Sequence, residues 1–264
     1  MANGLWSGRR ALVTGASSGI GAALARELAE QRAVLLLTGR DSGALDACAG
    51  GCRAAGAQVA TVAGDLTEAA VVARLGEEVS ALGGLDLLVH NAGLTMNARF
   101  AELDLAVVRR LMEINYFAAV ALTQAVLPAL LAARGRIAVV SSLTGLVGVP
   151  TRTAYAASKH ALHGFFTSLR VELRDAGVKV TIVCPGYVDT PMRSRALRAD
   201  GTPQGFDQAA SRRMLSADEV ARATLEAAAR GRRLVVLGRE TRLARILSCV
   251  APAVLDRILA RTTR

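Results

Sequence analysis

With 264 residues, 52% of them apolar and 20% charged, the chain has the material for a sizeable core, and disorder is excluded as its general state. The net charge of +10 has an address: residues 193–213 hold five arginines against two aspartates, residues 230–264 hold nine against Glu240 and Asp256, and the rest sums to zero. Aromatic residues at 3%, with no recognition motif, argue against nucleic acid as the partner of that charge.

The opening MANGLWSGRR lacks the apolar segment of a signal peptide. No uninterrupted apolar run reaches the roughly 18 residues of a spanning helix. Cys48, Cys52, Cys184 and Cys249 form no Cys-x-x-Cys, and His90, His160 and His163 have no metal-ligand spacing to them. The expectation is reduced thiols, no metal and a cytoplasmic protein.

Arg9 to Thr14 reads as a strand running into Gly15-Ala16-Ser17-Ser18-Gly19-Ile20-Gly21, and a helical stretch follows from Ala22 to Gln31. A glycine turn between a strand and a helix start makes an anion site, because backbone N–H groups are free and no side chains block a pyrophosphate. The spacing Gly-x-x-x-Gly-x-Gly differs from the commoner Gly-x-Gly-x-x-Gly. Ala33 to Thr38 is the next strand. Arg40 stands at its end, where an arginine accommodates the 2′-phosphate of NADP. Asp41, one residue on, reads as the cap of a helix from Ser42.

Gln58 to Ala63 is a third strand, ahead of Asp65-Leu66, and Leu85 to Val89 a fourth, ahead of His90-Asn91-Ala92-Gly93. A helix from Asp104 to about Leu131 contains Asn115, a poor residue for a helix interior because its amide competes for backbone hydrogen bonds. Asn115 is therefore either a surface residue or a functional group facing a cavity.

Arg136 to Ser141 is the fifth strand, with Ser142 at its end. The segment Thr151 to His163 is Ala-rich and free of Pro and Gly, so it reads as a helix. Tyr155 and Lys159 then share a face one turn apart. A tyrosine acting as a base near neutrality must lose roughly 3 units from its ordinary pKa of about 10, or about 4 kcal/mol. An ammonium at about 5 Å in an effective dielectric of about 20 supplies roughly 3 kcal/mol of that. Ser142 could hold a substrate oxygen as charge develops on it.

Val178 to Val183 is strand six, followed by Cys184-Pro185-Gly186-Tyr187-Val188-Asp189-Thr190, and Arg233 to Leu237 is strand seven. This alternation predicts an α/β fold, a Rossmann-type doubly wound seven-stranded parallel sheet with helices on both faces and its site outside the strand ends. Between the last two strands, Asp189 to Met214 reads as a mobile lid carrying Met192, Leu197, Phe206 and Met214 with Arg193, Arg195, Arg198, Arg212 and Arg213. Residues 1–238 form one catalytic domain. Residues 239–264 form a basic extension: Leu243, Ile246, Leu247 and Val250, then Val254, Leu255, Ile258 and Leu259, fall at helical spacing on either side of Pro252. Such helices suit a membrane surface, a subunit interface or the chain's own core.

Taken together, TGASSGIG at 14–21, Asp65, the Asn91-Ala92-Gly93 turn, Asn115, Ser142, Tyr155-x-x-x-Lys159 and Pro185-Gly186 resemble the short-chain dehydrogenase/reductase family. The tail resembles the 11β-hydroxysteroid dehydrogenase group within it. The resemblance implies a catalytic tetrad of Asn115, Ser142, Tyr155 and Lys159. Tyr155 would move the proton, Lys159 would lower its pKa and bind the nicotinamide ribose, Ser142 would orient the carbonyl, and Asn115 would hold a water. It implies NADP(H) as cofactor, with Gly15, Ser18, Gly19, Ile20 and Gly21 around the pyrophosphate and Ser17 and Arg40 at the 2′-phosphate. Asp65 falls at the adenine, Asn91 near the ribose and Thr190 near the carboxamide, with Leu66, Ala92, Gly93, Pro185, Gly186 and Val188 as further cofactor-binding positions. It also implies a homodimer or homotetramer. His90 departs from the asparagine many members carry before this turn, and a local packing role is expected for it.

The expected function is the NADP(H)-dependent interconversion of a ketone or aldehyde and an alcohol on a hydrophobic, lipid-, steroid- or acyl-like substrate. Reduction of 3-oxoacyl thioesters is the alternative within that class. A catalytically silent cofactor-binding protein is the alternative outside it, and the joint presence of Tyr155 and Lys159 argues against that.

Overall fold

The computed structural model describes residues 4–205 and 214–261. Seven strands, β1 (Arg10–Thr14), β2 (Val34–Gly39), β3 (Gln58–Ala63), β4 (Leu87–His90), β5 (Arg136–Val140), β6 (Lys179–Cys184) and β7 (Leu234–Val236), form one sheet in the order β3-β2-β1-β4-β5-β6-β7. Every pairing is parallel. The doubly wound α/β architecture is the one expected.

Both faces of the sheet are covered, so the central strands read as near-continuous apolar runs rather than alternating. Leu12, Leu36, Leu88, Ile137 and Ile182 face one core with α3 (Ala69–Ala81), α5 (Ala118–Ala133) and α6 (Thr153–Glu172). Val13, Leu35, Leu37, Val89 and Val140 face the other, with α1 (Gly19–Glu30), α2 (Ser42–Ala54) and α7 (Ala217–Ala229). The chain reverses its winding between β1 and β4, and this switch point opens a crevice at the carboxyl ends of the strands.

Three elements differ from expectation. The first helix starts at Gly19 rather than Ala22, so two glycines of the turn already belong to its first turn. The helix carrying Tyr155 continues through Gly164 to Glu172. The helix expected from Asp104 to Leu131 is α4 (Leu105–Met112), a π turn at Glu113–Phe117 and α5, continuous over Leu105–Ala133. That run is long and apolar enough to cross a membrane, with a mean hydropathy of 1.8, although no unbroken apolar stretch announces it. Here its Ala118, Leu122, Val126 and Leu130 are buried against the sheet.

The segment read as a lid is partly packed. Leu197 is buried with Met96, Val107 and Ala154, and its backbone bonds Thr95 and Asn97 at 2.9 and 2.8 Å. Phe206, Arg212 and Arg213 lie outside the described residues.

The tail forms α8 (Arg239–Val250) and α9 (Pro252–Arg261). Pro252 opens the second helix, where its missing N–H costs nothing. The tail has two apolar faces rather than one stripe. Ala244, Leu247, Leu255 and Leu259 pack on Leu143, Leu146, Val147 and Val149. A Cβ on Gly186 would lie 2.5 Å from Thr241 Oγ1, so α8 is seated hard against the loop after β6.

Candidate active site

The site is a cleft of about 1520 Å³. Ile20, Asn91, Ser142, Tyr155, Lys159, Pro185, Gly186, Val188 and Thr190 line it.

One end of it is built from the glycine turn. Gly15 has φ +65°, a left-handed conformation that favours glycine, and an added Cβ would meet Ala92 Cα at 2.9 Å. At Gly21 a Cβ would fall 2.0 Å from the Gly15 carbonyl oxygen. Ser18 stands at the N-cap of α1 without a side-chain cap bond. Gly19 lies against Thr190, which closes the turn from the opposite side. Asn91 donates from Nδ2 to the carbonyls of Thr14 and Gly15, at 3.0 and 3.2 Å. The Thr14 hydroxyl accepts from the backbone N–H of Asn91 and of Ala92, at 2.9 and 3.0 Å. Thr14 is thus the pin joining the two turns, a role that the sequence reading missed.

Beyond the glycine turn, Ser17 packs on Gly39, its Oγ 3.1 Å from the Cβ position there, next to the exposed Arg40. Asp41 caps α2 by accepting from Ala44 N–H at 3.0 Å, as expected. Asp65 accepts from the backbone N–H and hydroxyl of Thr67 at 3.0 and 2.9 Å. Leu66 turns its side chain into the core.

At the chemical end, Ser142 follows β5 and accepts from Thr144 N–H at 3.3 Å. The half-buried Tyr155 side chain lies in the cleft wall beside Ser142 and Thr144. Lys159, buried, donates from Nζ to the Val140 carbonyl at 3.0 Å and sits 5.8 Å from the centre of the Tyr155 ring. Burial pushes the Lys159 pKa down to about 8. The expectation that Lys159 lowers Tyr155 is not met among the protein's own groups. Burial pushes the Tyr155 pKa up, and the opposing pulls come from the neighbouring Ser142 hydroxyl, the Arg152 charge and Thr144. Arg152, another residue missed from sequence, bonds Thr95 Oγ1 at 3.2 Å and the Met96 carbonyl.

Asn115 is buried rather than superficial. Its Oδ1 accepts from Leu94 N–H at 2.7 Å, and its Nδ2 donates to the Leu94 carbonyl and Ser158 Oγ, each at 2.9 Å. The side chain is therefore committed to protein partners. A cavity of about 10 Å³, at the lower limit for holding one water, lies between Asn115, Lys159, His90 and Thr14. His90 has the packing role expected: its Nε2 pairs with Thr123 Oγ1 at 2.8 Å and its ring lies 5.4 Å from that of Phe166. Because the Thr123 hydroxyl donates to the Ala119 carbonyl at 2.7 Å, His90 Nε2 carries the proton of this pair. Burial, then the charge of Lys159, lowers the His90 pKa to about 3, so the ring is neutral.

A family model described as short chain dehydrogenase matches residues 9–200. The chain belongs to the short-chain dehydrogenase family. Among relatives, Dehydrogenase/reductase SDR family member 7B of Mus musculus is 35% identical over 260 residues, covering 96% of this chain and 80% of the relative. Putative oxidoreductase SadH of Mycobacterium tuberculosis is 34% identical over 262 residues, covering 97% and 95%. A crystal structure of a short chain dehydrogenase/reductase from Burkholderia phymatum in complex with NAD aligns at TM-score 0.77 and 28% identity, covering 88% of this chain and 89% of that one. As a short-chain dehydrogenase, the protein is an oxidoreductase.

Proposed function

We propose that this short-chain dehydrogenase interconverts a ketone or aldehyde and an alcohol on an apolar substrate, using NADP(H), with Tyr155 as general acid/base. The observation that carries the reading is that Ser142 and Tyr155 line the same cleft, with the Lys159 ammonium 5.8 Å from the centre of the Tyr155 ring. The glycine cradle fits a dinucleotide, because a Cβ at Gly15 or Gly21 would fill it. A bound nicotinamide dinucleotide supplies or accepts the hydride at the carbonyl carbon. In reduction, Ser142 holds the carbonyl oxygen and Tyr155 gives that oxygen its proton; in oxidation, Tyr155 takes the proton back. Lys159 contributes positive charge beside the phenol and a donor to the cofactor ribose. Asn115 holds the Gly93-Leu94 wall of the site in place, and the small cavity beside it has room for the water of a proton relay.

Ser17 and Arg40, adjacent at the ends of β1 and β2, support NADP(H) over NAD(H) through the extra phosphate. Asp65 and the backbone of Leu66 take the adenine side, and Ala92, Gly93, Pro185, Val188 and Thr190 the nicotinamide side. Apolar cleft residues Leu143, Val149, Met192 and Leu215 support a lipid-, steroid- or acyl-like substrate. One observation favours the 3-oxoacyl-thioester alternative: Arg193, whose guanidinium lies 5.2 Å from the centre of the Tyr187 ring, also lines the cleft. Exposed Phe117, Leu131 and Val171, on or beside α5 and α6, support self-association as a dimer or tetramer. Free cysteines at 48, 52, 184 and 249 support a reducing compartment such as the cytoplasm.

Turnover of a panel of ketones and alcohols, followed at the nicotinamide absorbance band, tests the reading. Tyr155→Phe should lower turnover by at least a thousandfold while cofactor still binds. Near-normal activity in that variant removes Tyr155 from the chemistry. Arg40→Ala should weaken NADP(H) at least tenfold and leave NAD(H) nearly unchanged; equal losses show that Arg40 does not read the phosphate.

A further inference from the structure

The inner face of the tail is spent on its own subunit, through Thr241, Ala244 and Leu255. The outer face is not. Leu243, Ile246 and Val250 of α8 and Val254 and Ile258 of α9 are between 45% and 72% exposed. At 100° per residue the α8 trio falls on one side of its helix, and Val254 and Ile258 fall together on theirs. Exposed Arg242 and Arg245 run along the flank of the first set, and exposed Arg257 and Arg261 beside the second. Residues 239–264 hold six arginines against Glu240 and Asp256, a net charge of +4.

We propose that this outer face is a docking surface for an anionic lipid bilayer. An apolar stripe flanked by arginines matches the boundary between acyl chains and acidic headgroups, where the aliphatic side chains leave water and the guanidiniums meet phosphate and carboxylate. A second copy of the chain is the poorer occupant. A two-fold contact through this face would bring the same arginines of both copies together with only two carboxylates on each side to offset them. Both helices are already ordered by their inner face, so docking does not carry the ordering cost of a disordered tail. Removing the tail after Gly238 would be an unclean test, because Thr241 and Ala244 also brace Gly186 and the loop after Ser142.

The experiment is flotation of the full-length protein with vesicles of phosphatidylcholine alone or mixed with phosphatidylserine, at low and high salt, beside light scattering without lipid. Wild type should float with the phosphatidylserine vesicles, remain below with the neutral ones, and be released by salt. Ile246→Glu/Ile258→Glu should lower partitioning at least tenfold, with turnover and melting temperature unchanged because both side chains are exposed. Arg257→Gln should lower it about fivefold, the worth of one basic residue near an anionic surface. The proposal is overturned if wild type fails to float, if it floats equally with neutral vesicles, or if the double variant floats as wild type does. It is equally overturned if the double variant halves the native mass without lipid, since a second copy then covers the face.

Discussion

Tyr155 shows how much a pair of residue numbers leaves open. Spacing places Lys159 one turn away, and simple electrostatics then assigns it most of the pKa reduction. In the fold the ammonium is held by the Val140 carbonyl, and burial disfavours the charge of the lysine and that of a tyrosinate alike. The Arg152 charge favours the tyrosinate. Arg152→Gln should therefore shift the base limb of the alcohol-oxidation pH profile to higher pH and slow oxidation at neutral pH about tenfold, the scale of one charge pair in a partly buried site. Arg152→Lys should restore most of the loss. An unmoved profile would assign Arg152 only to holding Thr95 and Met96.

At the scale of elements, the π turn between α4 and α5 is the feature that explains Asn115. A wider turn is a frequent marker of functional sites within helices. Here it accompanies a side chain that serves as a backbone surrogate for Leu94, satisfying both its N–H and its C=O. Asn115→Leu leaves those two groups and Ser158 without this partner. Urea denaturation should show a loss of about 3 kcal/mol. Turnover should fall as well, because Gly93 lies between Asn115 and the Lys159 ammonium. A variant as stable as wild type would mean that Leu94 finds water instead.

For the whole molecule, the end of the sheet opposite the cleft is tied by Asp86, just ahead of β4. It accepts from Arg9 Nη1 at 3.1 Å and from Arg10 N and Nε at 3.0 and 2.8 Å. Burial alone would push the Asp86 pKa up, but the hydrogen bonds from Arg10 and Arg9 outweigh it and hold the carboxyl below its ordinary value. A depressed carboxylate stabilises the fold above its unfolded pKa, and that contribution is lost as pH falls through the folded value. Asp86→Asn should cost about 2 kcal/mol at neutral pH. The gap to wild type should close in acid, as melts from pH 7 downward will show, and turnover should hold because the cleft is at the other end of the strands. A gap that persists unchanged into acid would assign the loss to packing rather than charge.

Buried parallel strands must be apolar on both faces, and turns that approach a phosphate must be glycine, so the sheet, the cradle, Ser142, Tyr155 and Lys159 were legible in the order of the residues. Such constraints act within a few residues of each other along the chain. What only the tertiary structure decided depends on groups distant in sequence. Thr14 reaches the turn at Asn91, Arg152 reaches Thr95 and Met96, and Asn115 reaches Leu94 and Ser158. The tail shows the same division. Its helical spacing and charge are properties of the local chain, but which apolar side chains face inward is set by where Gly186 and the loop at 143–149 offer room. Spacing alone puts Leu243 and Leu247 in one stripe; packing buries one side of the helix and leaves the other to water.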